Sequence, residues 1–265
     1  MAKLSLSRAW DETKSVLSRD GKLIGTVALA LLVLPGTISD LVTPPAPPGE
    51  LPEPGAWMIV AFVALLIGVI GQLAIVRLAT THGLRVSDSI RHGAARAPSY
   101  VAAVMVWILP FAFGFALLAP HITRAQPSVA AALGFLLLFA IGLFIFVRLC
   151  LLVAVASQEA AGPPTLLKRS WALSRGHWWR LFAFLLISIV AVLVLYIAVG
   201  AVIGSIVGLF VGQVEPMSLA ALLIALATQL VTAIFTIGFV VMLARIYVQL
   251  SGRDHAAVSV PSSGT

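Results

Sequence analysis

The sequence predicts an all-α, polytopic membrane bundle: six transmembrane helices, short amphipathic interfacial helices, and both termini in the cytoplasm. Three observations predict it. Of 265 residues, 60% are hydrophobic and 10% charged, whereas a soluble domain carries about a quarter charged residues. Six apolar stretches approach or exceed the about 20 residues that cross about 30 Å of hydrocarbon. Sixteen of the seventeen Lys and Arg fall on one side of those stretches, as the positive-inside rule requires of cytoplasmic segments. With a mean hydropathy of +1.07, too few polar residues remain to cover a soluble surface. That excludes an ordinary soluble enzyme, a disordered tail and a nucleic-acid-binding domain.

The elements follow in order. Residues 1–22 form a cytoplasmic amphipathic segment, with Leu6, Ala9, Trp10, Thr13, Val16 and Leu17 on one face and Arg8, Asp11 and Lys14 opposite. Such basic, Trp-bearing helices lie in the headgroup zone. The membrane domain covers residues 23–250. Its spans are expected at Leu23–Ile38, Trp57–Val76, Tyr100–Ala119, Val129–Val147, Leu181–Phe210 and Leu219–Ala244. The 22-residue flank of the first carries three acids and no A-x-A site follows it, so it reads as a retained span rather than a signal peptide. The Pro-rich stretch from Pro44 to Pro54 reads as an extended, stiff spacer. Ending the fourth span at Val147 puts Arg148 at the interface and avoids the about 2.5–3.5 kcal/mol of burying it at mid-membrane. Leu149–Ala156 is then a helical extension beyond the hydrocarbon. Val86, Ile90 and Ala94, and after Pro163-Pro164 also Leu167, Ser170, Trp171 and Ser174, mark two further in-plane helices, the second stopping at Gly176. Residues 251–265 form a flexible cytoplasmic tail.

The charge count orients the chain. One face holds sixteen Lys and Arg against six acids; the other holds Arg124 against Asp40, Glu50, Glu53 and Glu215. The isoelectric point of about 10.3 therefore reports topology and attraction to anionic lipid headgroups, the expected partners, rather than nucleic acid. The spans also come as three hairpins. Ser18-Arg19-Asp20-Gly21, Ala95-Arg96-Ala97-Pro98 and Ser174-Arg175-Gly176-His177 precede the odd-numbered spans. Val76-Arg77-Leu78, Val147-Arg148-Leu149 and Ala244-Arg245-Ile246 close the even-numbered ones. This pattern is read either as an internal repeat or as three positive-inside hairpins that each end in Arg.

An Arg closing a span, an acid about ten residues on, then Arg-Ser-Trp-x-Leu-x-Arg-Gly-x-x-Trp-Arg entering the next span is the most distinctive pattern in the chain. On Arg148, Glu159, Ser170, Trp171, Leu173, Gly176, Trp179 and Arg180 the chain resembles the glycerophosphoryl diester phosphodiesterase membrane-domain family and related six-span bacterial inner-membrane proteins. The likeness runs more loosely over the whole chain, from Arg19 to Arg245-Ile246-Tyr247. In that family the membrane part sometimes precedes a catalytic barrel of about 250 residues. Twenty residues follow Arg245, and no cluster of carboxylates with a His pair is present to hold the metal of that chemistry. The resemblance thus implies a membrane module of the bacterial inner membrane, without the family's activity.

Chemistry-bearing motifs are sparse. His82, His92, His121, His177 and His255 form no spaced metal pair, and no cofactor is implied. Cys150 is the single cysteine, so no disulfide framework exists. Asp88 and His92, at i,i+4, read as a surface ion pair; Arg148 and Glu159 read as a structural salt bridge. The proposed spans carry no ionisable side chain at mid-depth, against the pattern of ion pumps. Neutral polar residues remain: Gln72, Ser188, Tyr196, Thr228, Gln229, Thr232 and Thr236. Gln229, Thr232 and Thr236 share a face and read as interhelical hydrogen-bonding residues; the alternative is a polar groove, with Gln72, for a solute or headgroup. Gly200, Gly204, Gly208 and Gly212 form an i,i+4 ladder, which predicts a tight helix crossing, within the chain or as the seam of a homo-oligomer.

Three functions are compatible with these residues. The leading one is a non-catalytic inner-membrane protein with an accessory or organising role in lipid or envelope homeostasis. The second is a permease for a neutral or lipid-like solute. The third is an interfacial enzyme using Arg148, Glu159 and Arg180 on a phospholipid headgroup.

Overall fold

A computed structural model describes residues 4–44, 46, 52–81, 83–122, 128–206 and 217–252. Among them are helices and connections and no strand. α1 runs Leu6–Val42, with the Ser5 hydroxyl capping its start by accepting from the Arg8 N–H at 3.3 Å. α2 is Trp57–Thr80, α3 Val86–Ile122, α4 Val129–Leu149, α5 Leu152–Gln158, α6 Pro163–Ser174, α7 Trp178–Ile206 and α8 Leu219–Ser251. Ser218 caps α8, and Gly252 ends it at φ 71°, a left-handed conformation that costs glycine least. Six helical segments are long and apolar enough to cross a membrane, and the chain is a multi-pass membrane protein.

Several sequence expectations change at the element boundaries. The amphipathic segment of residues 1–22 is not a separate helix: α1 passes through Gly21 and Lys22 unbroken for 37 residues, about 55 Å. α3 likewise carries its basic stretch straight into the span, with Pro98 inside the helix. A proline removes one main-chain donor, and a long helix survives the loss of one bond. Of the three in-plane helices only α6 stands alone, stopped at Gly176 with φ 83°. Leu149–Ala156 is not a continuous helical extension of the fourth span. The chain turns at Cys150–Leu151, and α5 follows with Leu152–Ser157 buried throughout. A short segment that is apolar on every side belongs in a core. The fifth span is helical to Ile206; its expected end at Phe210 lies outside the described residues, as does the tail from Arg253 on.

The core sits at the basic end of the bundle. It joins Ala9, Val16, Ile24 and Val27 of α1, Leu73–Ala79 of α2, Val147, Leu151–Ala156, Leu166, Leu181 and Val240–Val248 of α8. All three apolar-Arg-apolar motifs contribute in one way: Val76 and Leu78, Val147 and Leu149, Ala244 and Ile246 are buried, while Arg77, Arg148 and Arg245 are half-buried between them. Alanine and glycine make the close approaches. A Cβ built at Gly93 on α3 would lie 2.6 Å from the Ile70 carbonyl oxygen of α2. Away from this core, Phe62, Phe113, Leu136, Ile187 and Val194 project outward, as they do when lipid is the solvent.

Candidate functional site

α1, α2 and α8 leave a groove of about 280 Å³ between them. Its walls carry all four residues of the expected polar groove: Gln72 from α2, and Gln229, Thr232 and Thr236 from one face of α8. Asp40 and Ser39 of α1 complete it, over a floor of Gly36, Ala61, Ala64 and Gly68. The groove begins near the end of α1 remote from Arg8 and Lys14. It reaches inward to Gln72, fifteen residues or about 22 Å along α2 from Trp57. Beyond Gln72 lies a second cavity of about 250 Å³, lined by Tyr100, Trp107, Cys150, Phe239 and other apolar residues.

The groove's hydrogen bonding is unevenly satisfied. Gln229 Nε2 donates to Asp40 Oδ2 at 2.7 Å. Because that partner is an acceptor, the Gln229 amide orientation is fixed, and its oxygen faces Gly36, where an added Cβ would meet it at 2.5 Å. Thr232 Oγ1 donates to Thr228 O and Thr236 Oγ1 to Thr232 O, both at 2.8 Å. Tyr196 of α7 lies 3.0 Å from the Thr232 hydroxyl, so Thr232 does serve as a link between helices. The Ser39 hydroxyl and the Gln72 amide bond to no described residue, and no described Lys or Arg pairs with Asp40.

Asp40 was not visible as a site residue in the sequence, which places it past the first span. α1 instead continues to Val42, carrying Ser39 and Asp40 on its last turns. The available signal was the lack of any helix breaker between Gly36 and Pro44. Upstream, Leu29–Val33 forms one π-helical turn. It adds a residue to the repeat, turns everything after it by about 100°, and such turns are frequent at functional sites.

The basic end brings the resemblance motif together differently from the sequence expectation. Arg148 does not pair with Glu159. Its guanidinium carbon sits 5.3 Å from the ring centroids of both Phe144 and Trp171, a cation–π arrangement, and its Nε and Nη1 are buried without a hydrogen-bond partner. Ser170 Oγ donates to the Arg148 carbonyl at 3.2 Å. Glu159 instead accepts from Arg169 Nε at 3.0 Å and from the Tyr247 hydroxyl at 2.9 Å. Arg180 Nη1 donates to Leu4 O at 2.7 Å, and Trp179 is exposed beside Trp178. Arg148, Glu159 and Arg180 thus hold three different sets of partners. Gly176 supplies the turn between α6 and α7, and Leu173 is buried.

Contacts missed in the sequence tie the chain ends together. Glu12 bridges Arg8 at 2.7 Å and Arg245 at 2.9 Å, and the Ser5 N–H donates to Gln249 Oε1 at 3.2 Å. Long-range partners leave no local spacing to read. His92 does not pair with Asp88; its Nε2 lies 2.7 Å from the Ser157 carbonyl, while Ser157 Oγ donates to Leu73 O at 2.9 Å. No group of three potential metal ligands occurs among the described residues. In the glycine ladder, Gly200 and Gly204 would meet nothing within 4 Å on gaining a Cβ, so no crossing is made at these two among the described residues. Gly208 and Gly212 lie outside the described residues, as do His82 and His255.

The fold and the groove define a polytopic α-helical membrane protein with a polar recess between α1, α2 and α8. Residues 4–250 match the model of a domain of unknown function, DUF7847, and the chain belongs to that family. No curated protein and no solved structure matches it.

Proposed function

We propose that the chain is a non-catalytic protein of the bacterial inner membrane, both ends cytoplasmic, with an accessory or organising role in lipid or envelope homeostasis. The observation that carries this reading is the basic end, where Glu12, Glu159, Arg180 and Arg245 are engaged in links between elements. Groups held in that way stiffen a scaffold rather than meet a substrate. The cationic face suits anionic headgroups, and the resemblance to the glycerophosphoryl diester phosphodiesterase membrane domains supports a lipid-side role. Lipid and metabolite profiling of a deletion strain tests it. A changed phospholipid or envelope profile, restored by the wild-type chain, supports it; an unchanged profile under envelope stress refutes it. A phosphatase fused to either chain end stays inactive if both ends are cytoplasmic.

The groove favours a second reading, a permease for a neutral or lipid-like solute, because Gln72, Gln229, Thr232 and Thr236 line one recess. Loss of uptake in a folded Gln229→Leu, Thr232→Leu double variant supports it. Unchanged uptake removes it.

A further inference from the structure

The groove is built for a cation. We infer that it is a receptor site for a protonated primary amine, held by Asp40 as counter-ion and by the hydrogen-bond acceptors around it. This rests on the groove of the permease reading but replaces the neutral solute with a charged one, and it concerns binding whether or not the ligand crosses the membrane.

Charge is the first argument. The other acids of α1 have cations: Asp11 has Lys14, Glu12 has Arg8 and Arg245, and Asp20 has Arg19. Asp40 has an amide N–H at 2.7 Å and no cation among the described residues. Exposed at the rim of the recess, the Asp40 carboxylate makes its mouth negative and favours the entry of positive charge. Hydrogen-bond polarity is the second argument. Thr232 and Thr236 direct their protons to carbonyls of their own helix, which leaves their oxygens as acceptors, that of Thr232 shared with the Tyr196 hydroxyl. With the Gln229 oxygen and the Asp40 carboxylate they offer acceptors to a group with three donors, the inventory of an ammonium. An anion would meet the Asp40 charge, whatever donors Ser39 and Gln72 offered it.

Shape agrees. About 280 Å³ equals roughly nine water molecules, enough for an amino alcohol or a headgroup and too little for a whole phospholipid. Gly36 keeps the recess open, since a Cβ there would displace Gln229. The π-helical turn at Leu29–Val33 sets Gly36, Ser39 and Asp40 on the groove side; without its extra residue they would face about 100° away.

A free amine and an aminophospholipid headgroup share this chemistry, and two arms separate them. In the first, the full chain in phosphatidylglycerol nanodiscs is titrated with ethanolamine, and with ethylene glycol as the uncharged control. Saturable ethanolamine binding is expected, with ethylene glycol weaker by about tenfold or more, the worth of one charge-assisted hydrogen bond. Asp40→Asn, which keeps an acceptor for Gln229, loses that preference; Asp88→Asn, on an exposed acid elsewhere, does not. In the second arm, native mass spectrometry reads the lipid retained from nanodiscs of mixed phosphatidylethanolamine and phosphatidylglycerol. Enrichment of phosphatidylethanolamine that Asp40→Asn abolishes, without binding in the first arm, assigns the lipid headgroup. Ala61→Leu, which fills the recess from α2, gives the same losses and decides the matter if Asp40→Asn does not fold. Absence of both signals in the wild type, or equal signals in folded Asp40→Asn, overturns the inference. Ethanolamine flux into liposomes is measured alongside: binding without flux removes the permease and leaves the receptor site standing.

Discussion

Replacing Gly93 with alanine tests where the helices of this bundle truly touch. A Cβ at Gly93 would lie 2.6 Å from Ile70 O and 3.2 Å from Ala74 N. Both are backbone atoms of α2, so no side chain can rotate away, and α2 and α3 must part by several tenths of an ångström. Separation loosens a close-packed contact in the core, at about 1–3 kcal/mol for overpacking of this kind. Alanine returns up to about 1 kcal/mol in helix propensity, leaving an expected net loss of about 1–2 kcal/mol. Gly200→Ala is the matched control. Nothing lies within 4 Å of its new Cβ, so the propensity gain of up to about 1 kcal/mol stands alone. Thermal unfolding and SDS titration of both purified variants beside wild type give the answer. Gly93→Ala is expected to melt a few degrees lower and Gly200→Ala at or above wild type. A Gly93→Ala protein of undiminished stability, or a destabilised Gly200→Ala, refutes the reasoning that contact distance rather than glycine spacing marks the crossing.

Three further outcomes are expected from the basic end. Glu12→Gln removes the charge facing Arg245, where the two side chains are 18% and 15% exposed; this lies between surface and buried pairs and lowers stability by about 1–3 kcal/mol in the same SDS titration. Ser157→Ala deletes the buried link from α5 to the Leu73 carbonyl and lowers stability by about 0.5–1 kcal/mol, since that carbonyl keeps its place in the α2 ladder. Glu159→Gln loses the partly exposed Arg169 pair while keeping an acceptor for Tyr247. Its effect is expected to stay below about 1 kcal/mol and to shrink further in high salt.

The spans were legible because hydrocarbon imposes a length and a composition that no other solvent does. Trp57, Val129 and Leu219 begin their helices where the apolar runs begin. Their boundaries at the basic end were less legible, since an amphipathic helix can run into an apolar one with no change of backbone, as at Lys22 and Pro98. α5 has no Gly or Pro to announce the turn before it; what singles it out is tertiary burial on every side. Gln229, Thr232 and Thr236 were found because an i, i+3, i+7 face is local. Asp40 was missed because its partner Gln229 is 189 residues away, and because a π-helical turn, which local spacing does not encode, sets the face it occupies. At Gly200 and Gly204 the glycine ladder shows the same limit: spacing states which residues share a face and says nothing of what lies opposite.

Polarity in this chain is segregated along the bundle, and that separates folding from any ligand chemistry. At one end polar groups are matched across elements: Glu12 joins α1 to α8, Glu159 joins the α5–α6 link to α6 and α8, and Arg180 joins α7 to Leu4, two residues before α1. These contacts surround the small-residue core, so substitutions there act on stability. At the other end α1, α2 and α8 enclose a recess whose Asp40 carboxylate meets no cation, and whose Ser39 hydroxyl and Gln72 amide meet no partner, among the described residues, over a floor of glycine and alanine. Few buried apolar contacts depend on those groups, and such regions rank among the less stable parts of a fold and the more adaptable. Substitutions in the recess are therefore expected to leave the melting temperature nearly unchanged while altering what binds, and those around Glu12 to do the reverse. Parallel loss of binding and stability on both sets of variants would contradict this division.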